Sequence, residues 1–267
     1  MGISLIISVY KKADYLNLVL KSILKQTYKN FEIIVAEDDQ DLEIKKLVEK
    51  FREENNKIEI KHVSQEDRGF RKNKILNEAI KVSKKENLIF IDGDCILHKN
   101  YLKEYSKYIN QKSFVYGRRA YLSEKFTKQI LNKKKIEKIN FFTIFLTKGR
   151  KIKYSIYNPF SNIKNIRKGV VGSSMSISRE NMIKINGFDE DFEQPYYGED
   201  TDIGRRARLL GLEIISLRHK AIQYHMWHGG RTRKESFEKS KKMYLEKSEE
   251  NKYICKNGIK KNKEDNG

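Results

Sequence analysis

Leu88-Ile89-Phe90-Ile91-Asp92-Gly93-Asp94 is an apolar run that ends abruptly in two carboxylates separated by a glycine. Four consecutive apolar residues with polar flanks read as a buried strand of a parallel sheet. In open α/β sheets the ligand site lies beyond the carboxyl ends of such strands. Asp92 and Asp94 are therefore expected in a cleft, where Gly93 lets the backbone turn so that both acids reach one hard cation shared with substrate phosphates. The competing reading of this segment alone is a strand entering an Asp-Gly hairpin turn.

The flanking sequence decides between them. Ile3 to Val9 reads as a first buried strand, followed by a helix with Leu16, Val19, Leu20, Ile23 and Leu24 on one face. Phe31 to Ala36 is a second buried strand ending in Glu37-Asp38-Asp39. Leu42, Leu47, Val48 and Phe51 mark another helix, Ile58 to Val63 an alternating strand nearer the edge, and Ile75, Leu76, Ala79 and Ile80 the helix that returns to Leu88. Alternating β and α units at this spacing predict an α/β fold with a parallel, doubly wound sheet over the first 116 residues.

The chain has 267 residues, with Lys+Arg 56 against Asp+Glu 36 and a net charge of +20. That balance favours polyanionic partners: nucleic acid, an anionic membrane or phosphorylated substrates. Cys95 and Cys255 are too few for a disulfide framework or a cysteine metal site, which fits a reducing cytoplasm. Met1-Gly2-Ile3-Ser4 runs straight into a strand with no basic n-region, so no signal peptide is expected. The longest apolar cluster, Ile139 to Leu146, falls short of a membrane span. The expected location is cytoplasmic, with peripheral contact at the inner face of the membrane as an option.

Between Lys125 and Lys168 there are 13 Lys or Arg and one acid, Glu137, with an apolar patch of Ile136, Ile139, Phe141, Phe142, Ile144, Phe145 and Leu146. This segment reads as a solvated helical excursion packed on the sheet, as a basic amphipathic surface resting on anionic lipid, or as a guide for an anionic acceptor. Gly169 to Ile177 resumes a strand pattern, and Ser178 is an N-cap for a short helix ending at Gly187. Glu199, Asp200 and Asp202 open a further helix stopped by Gly211, where the helix dipole favours acids; three acids exceed what a cap needs. Glu213 to Leu217 is a strand, and Ala221 to Tyr224 leads to His225-Met226-Trp227-His228. Histidines at i and i+3 can reach one metal, although such a pair is more often structural. From Arg231 the chain reads as a frayed amphipathic helix and a disordered end. The organisation is 1–116 for nucleotide binding, 117–168 for the basic excursion, 169–230 for acceptor and catalysis, and 231–267 for a basic tail.

In this order the motifs resemble the family 2 glycosyltransferases of the GT-A fold, a Rossmann-like, mostly parallel sheet flanked by helices. The second half looks like the carboxy-terminal region of β-1,4-galactosyltransferases and of bacterial chondroitin-type polymerases. The resemblance implies that Ser4 to Tyr10, including Val9, and Glu32 to Asp38 form the nucleotide-binding start, with Asp38 on the uracil ring. It implies a diphosphate contact from Arg71 or Lys72 within Gln65 to Asn77, where Leu76-Asn77 replaces the common Arg-Asn pair. Asp92-Gly93-Asp94 corresponds to the DxD motif, Asp94 being the firmer metal ligand. Gly172 to Ser176 and Asn186 to Glu190 resemble the approach to the acceptor. Gly198-Glu199-Asp200 matches the GED core, with Tyr196-Tyr197 replacing Trp-Gly; by that match Asp200 is the catalytic base and Glu199 orients the acceptor or braces it. His228 and His225 fall where relatives carry metal ligands.

The resemblance therefore implies a UDP-sugar donor, a saccharide acceptor that lipid-linkage could present, a divalent cation (Mn²⁺, or Mg²⁺), inversion at the anomeric carbon, and work in surface polysaccharide or lipopolysaccharide assembly. Two rivals come from other classes. A nucleic-acid-binding protein would use the charge, but no binding module is recognisable and the acids cluster at strand ends. A nucleotidyltransferase would need a glycine-rich phosphate loop near the first strand, and Tyr10-Lys11-Lys12-Ala13 has no glycine.

Overall fold

In the computed structural model of the chain, residues 1–165, 170, 172–195, 197–229 and 234–261 are described. Readings that fall on Lys168, Gly169, Tyr196, Arg231 and the Glu199 side chain lie outside the described residues. The first half alternates as the periodicity predicts: β1 (Ile3–Val9), α1 (Ala13–Leu24), β2 (Phe31–Glu37), α2 (Leu42–Glu54), β3 (Ile60–Ser64), α3 (Lys72–Val82) and β4 (Asn87–Asp92). Then follow β5 (Cys95–Leu97), α4 (Tyr101–Ser106), β6 (Ser113–Tyr116), β7 (Arg118–Tyr121), α5 (Glu124–Lys133), α6 (Phe141–Leu146), a 3₁₀ turn (Ile152–Ser155) and β8 (Lys164–Asn165). The chain continues through β9 (Ser174–Ser178), α7 (Arg179–Lys184), α8 (Glu199–Leu209), β10 (Glu213–Ser216), β11 (Ile222–His225) and α9 (Lys234–Glu249).

An eight-stranded sheet runs β3-β2-β1-β4-β9-β6-β10-β8. Its first four strands are parallel, with Ser8 opposite Asp92 and Val9 opposite Glu37. The parallel run stops at β4, because β9 enters antiparallel between β4 and β6. A second sheet, β5-β11-β7, stands beside it.

Strand alternation splits the core into two layers. Ile3, Leu5, Ile7 and Val9 of β1 join Ile33, Val35, Ile89 and Ile91 in a cluster closed by Leu16, Val19 and Leu20 of α1 and by Ile44 and Val48 of α2. Ile6, Ile34, Leu88 and Phe90 face the other way, onto Ile75, Leu76 and Ala79 of α3, Met182 of α7 and Ile203 and Ala207 of α8. Sealing both faces of β1 and β4 leaves their carboxyl ends as the place where polar groups emerge together.

The helix signals hold. The Ser178 side chain accepts from the Asn181 backbone to cap α7. Gly187 and Gly211 take left-handed backbone after α7 and α8. The disordered end does not hold for residues 250–261. Both side-chain groups of Asn186 bind this segment, Nδ2 to the Cys255 and Lys260 carbonyls and Oδ1 to the Lys260 amide. Asn257 Nδ2 donates to Asp191 Oδ1 at 2.9 Å. Lysine-rich composition hid a docking made by backbone groups.

Candidate functional site

The strand order turns back at β1, with β2 and β3 on one side and β4 on the other. Such a reversal opens a crevice at the carboxyl ends. Here it is a cavity of about 410 Å³, lined by Ser8, Val9, Asp38, Lys72, Asp92, Gly93, Asp94 and His228, with Tyr10, Lys11 and Lys12 from the β1–α1 turn. The size suits a nucleotide-like ligand. Lys11 and Lys12 have φ of 56° and 62°, a left-handed backbone that non-glycine residues seldom adopt.

Asp92 and Asp94 diverge. Gly93 N donates to Ser8 O at 2.8 Å, which fixes the turn. Asp92 Oδ1 accepts from Lys72 Nζ at 2.7 Å and from Ser8 Oγ at 3.0 Å, and Arg119 Nη1 lies 3.8 Å from Oδ2. Burial raises the Asp92 carboxyl, but the Lys72 and Arg119 cations outweigh it and bring the group down to about 2. Asp94 Oδ2 instead faces His228 Nε2 at 3.2 Å and His225 Nε2 at 3.6 Å. The sequence predicts both acids turned towards one place; Asp94 faces the two histidines, while Asp92 engages the cationic side chains.

The histidines arrive across about 130 residues of sequence because β11 pairs antiparallel with β5, setting His225 opposite Cys95. Met226 N then donates to Asp94 O at 3.0 Å. Burial lowers the His225 imidazole, partly against the Asp94 charge, which keeps it neutral as a ligand must be. Cys95 Sγ lies with Asp94 and His225 in a group of donors within 4.8 Å of one another, but burial pushes its thiol well up and so holds the proton on sulfur. The Asp94 oxygen stands 3.2 Å from the His228 nitrogen and 3.6 Å from the His225 nitrogen, each near the ~3.0 Å edge of an octahedron around a small divalent ion. The donor set fits such a cation.

Asp38 is 6% exposed. Its Oδ1 accepts from Gln65 Nε2 at 2.6 Å and its Oδ2 from the Arg71 amide at 2.8 Å. Burial pushes the carboxyl up against these hydrogen bonds. Geometry separates the two basic residues that the sequence leaves open. The Arg71 guanidinium is turned onto the Glu66 carbonyl, whereas Lys72 Nζ lies in the cavity on Asp92. Val9 lines the cavity floor beneath Gly93.

Asp200, on α8, is not among the residues that line this cavity. Its Oδ2 accepts from the Gly172 amide at 3.0 Å, and a Cβ on Gly172 would sit 2.8 Å from the Asp200 Cβ. Gly198 starts the helix at φ +99°, with the Phe192 ring 2.4 Å from where its Cβ would be. Asp202 is not part of the site: it is buried with Arg206, Oδ2 to Nε 2.6 Å, and pairs with Arg205. Asn73 and Asn77 staple α3 to the Phe188–Glu190 loop through backbone and carboxylate contacts.

Sequence reasoning missed Arg119. Its Nη1 donates to Ser173 Oγ at 2.9 Å and its Nε to Tyr121 Oη at 2.9 Å, while Gln223 Nε2 also donates to Ser173 Oγ. Arg119 thus links Asp92 to the residue after Gly172, which holds Asp200. The available signal was a pair of arginines beginning a four-residue strand, Arg118-Arg119-Ala120-Tyr121.

Comparison with known proteins bears on the family and the fold. A sequence model described as glycosyl transferase family 2 matches residues 4–168, and one described as the N-terminal domain of galactosyltransferase matches residues 153–229. The chain is 23% identical over 244 residues to chondroitin synthase of Escherichia coli, covering 84% of this chain and 34% of the synthase. It is 32% identical over 116 residues to the poly(ribitol-phosphate) beta-N-acetylglucosaminyltransferase TarS of Staphylococcus aureus, covering 42% of this chain and 19% of TarS. The chain spans between 16% and 36% of the length of these and two other curated relatives. Among solved structures, S. aureus TarS 1–349 in complex with UDP-GlcNAc superposes with a TM-score of 0.58 at 19% identity, covering 91% of this chain and 65% of that one. A mannosyltransferase from Pyrobaculum calidifontis in complex with GDP-Man and Mn²⁺ gives 0.57 at 16%, covering 84% and 56%. These neighbours share the GT-A fold. The family 2 match covers more than half of the sequence, and the chain belongs to glycosyl transferase family 2.

Proposed function

We propose that the chain transfers a sugar from a UDP-sugar to a saccharide hydroxyl with inversion, in the assembly of a surface polysaccharide such as lipopolysaccharide. The observation that carries this reading is the convergence of Asp38, Lys72, Asp94 and His228 on one crevice, with His225 behind them against Asp94. The TarS complex with UDP-GlcNAc supports the choice of UDP. In this reading Asp38 accepts a hydrogen bond from the nucleotide base; each of its oxygens keeps a lone pair beyond those used by Gln65 and Arg71, which supports it. Val9 packs at the floor beside it.

Asp94, His225 and His228 would hold a divalent cation, which when bound neutralises charge on the departing diphosphate; mixed oxygen and imidazole donors suit Mn²⁺ better than Mg²⁺. Lys72 presents a fixed positive charge to the same diphosphate, held in place by Asp92. Asp200 takes the proton of the attacking acceptor hydroxyl on its carboxylate, assistance worth roughly 10²–10⁴-fold. Glu199, beside it in sequence, orients the acceptor. Attack opposite the leaving diphosphate turns an α-linked donor into a β-glycoside. A lipid-linked saccharide is the acceptor class that the basic excursion suits.

The test is a screen of UDP-sugars for Mn²⁺-dependent hydrolysis and transfer, repeated with Asp200→Asn. Transfer should fall by ~10²-fold or more while UDP affinity stays within a factor of about two. Retained transfer would refute the assignment of the base.

A further inference from the structure

The short helix α6 shows an apolar face to water. Ile144 is fully buried, but Phe142, Phe145 and Leu146 are 72%, 60% and 76% exposed. These three stand at i, i+3 and i+4, so they share one face, and Ile144 points away from it. The exposure does not come from fraying. Asn140 and Thr143 form a reciprocal capping box, the Gly149 amide donates to the Ile144 carbonyl at 2.8 Å, and Arg150 and Tyr121 exchange backbone hydrogen bonds. The helix is mounted rigidly by its buried side.

Cations flank the helix in the sequence: Lys138, Lys148, Arg150, Lys151 and Lys153 are exposed, with Arg150 and Lys151 over the Tyr121 ring. Glu137, the one acid between Lys125 and Lys168, is neutralised by Lys25 at 2.5 Å. Large exposed apolar side chains in a cluster mark a contact surface. A face-to-face contact with a second copy would oppose these same cations. An apolar stripe flanked by Lys and Arg matches instead a helix lying in the headgroup plane of an anionic bilayer. Among the described residues no helix is long and apolar enough to cross a membrane, so this would be contact from one side.

We propose that α6 docks the protein on an anionic membrane, with Phe142, Phe145 and Leu146 entering the acyl boundary and the flanking cations on lipid phosphates. The proposal goes beyond the reading of the catalytic site and stands independently of it. The test is co-sedimentation with vesicles of phosphatidylcholine alone and of phosphatidylcholine with phosphatidylglycerol. The wild type should bind the anionic vesicles, with binding that falls as salt rises, and bind neutral ones weakly. Phe142→Ser/Phe145→Ser/Leu146→Ser should weaken partitioning by at least about tenfold. Lys148→Gln/Lys151→Gln/Lys153→Gln should weaken it about fivefold per lysine on anionic vesicles alone. Thermal melts report whether each variant folds, and Leu146→Gln serves should the triple variant fail. No binding, equal binding to both vesicle types, or binding unaffected by the apolar variants would overturn the proposal. So would self-association in sedimentation velocity, without lipid, that the apolar variants abolish.

Discussion

Arg119 and Lys72 hold Asp92 between them, and that division of labour makes testable claims at single residues. Removing the Arg119 guanidinium deletes a charged contact to Asp92 and a hydrogen bond to Ser173. Arg119→Ala is expected to lower kcat by roughly ten- to a hundredfold, in keeping with charged hydrogen bonds of about 1.5–3 kcal/mol. Arg119→Lys should recover part of it. An unchanged kcat in the alanine variant would show that the bridge has no part in turnover. Asp200 and Asp202, two positions apart on α8, should part company. Asp202→Ala leaves Arg206 buried without its carboxylate and should cost about 3–5 kcal/mol in denaturant unfolding. Asp200→Asn should leave the unfolding midpoint nearly unchanged. At this scale the acids of Asp92-Gly93-Asp94 were legible because residue type and spacing announce them. The partners of Asp92 were not, since Lys72 and Arg119 reach it through tertiary contacts with no local pattern.

Among the elements, α8 depends on how it begins. Gly198→Ala forces a left-handed residue against Phe192 and should destabilise by about 1–3 kcal/mol, with a loss of turnover as Asp200 shifts; a neutral melting curve would contradict this. Helix α9 is clamped by Lys247, whose Nζ lies 2.7 Å from Asp189 and 2.6 Å from Asp191. Burial alone lowers the Lys247 ammonium, but the two carboxylates prevail and raise it above its ordinary value. The folded state therefore holds this proton more tightly than the unfolded chain. The clamp contributes fully below the unfolded value and is lost as pH rises through the raised folded one. Wild type should thus lose stability above about pH 10.4 more steeply than Lys247→Met, measured by chemical unfolding across that range; parallel curves would exclude the clamp. Helix starts and stops were legible because caps are local. The ordered 250–261 segment was not, since Asn186 holds it through backbone groups that composition does not display.

For the whole molecule, the parallel half was readable because each β-α unit carries its own periodicity. The strand pattern of β9 was legible, but its entry between β4 and β6 and the small β5-β11-β7 sheet were not, since strands of three to five residues do not announce their partners. That small sheet is what joins His225 and His228 to Asp94. The account stands on this convergence, and Trp227, the chain's single tryptophan, sits between the two histidine positions as a reporter. The most direct measurement is a thermal-shift titration with UDP, with and without Mn²⁺, on wild type and Asp94→Ala, followed in parallel by tryptophan fluorescence. Ligand binding to the native state raises the melting temperature by mass action. The account predicts a UDP shift that needs Mn²⁺ in wild type and disappears in Asp94→Ala. A UDP shift of equal size in the variant, or one indifferent to Mn²⁺, would contradict it.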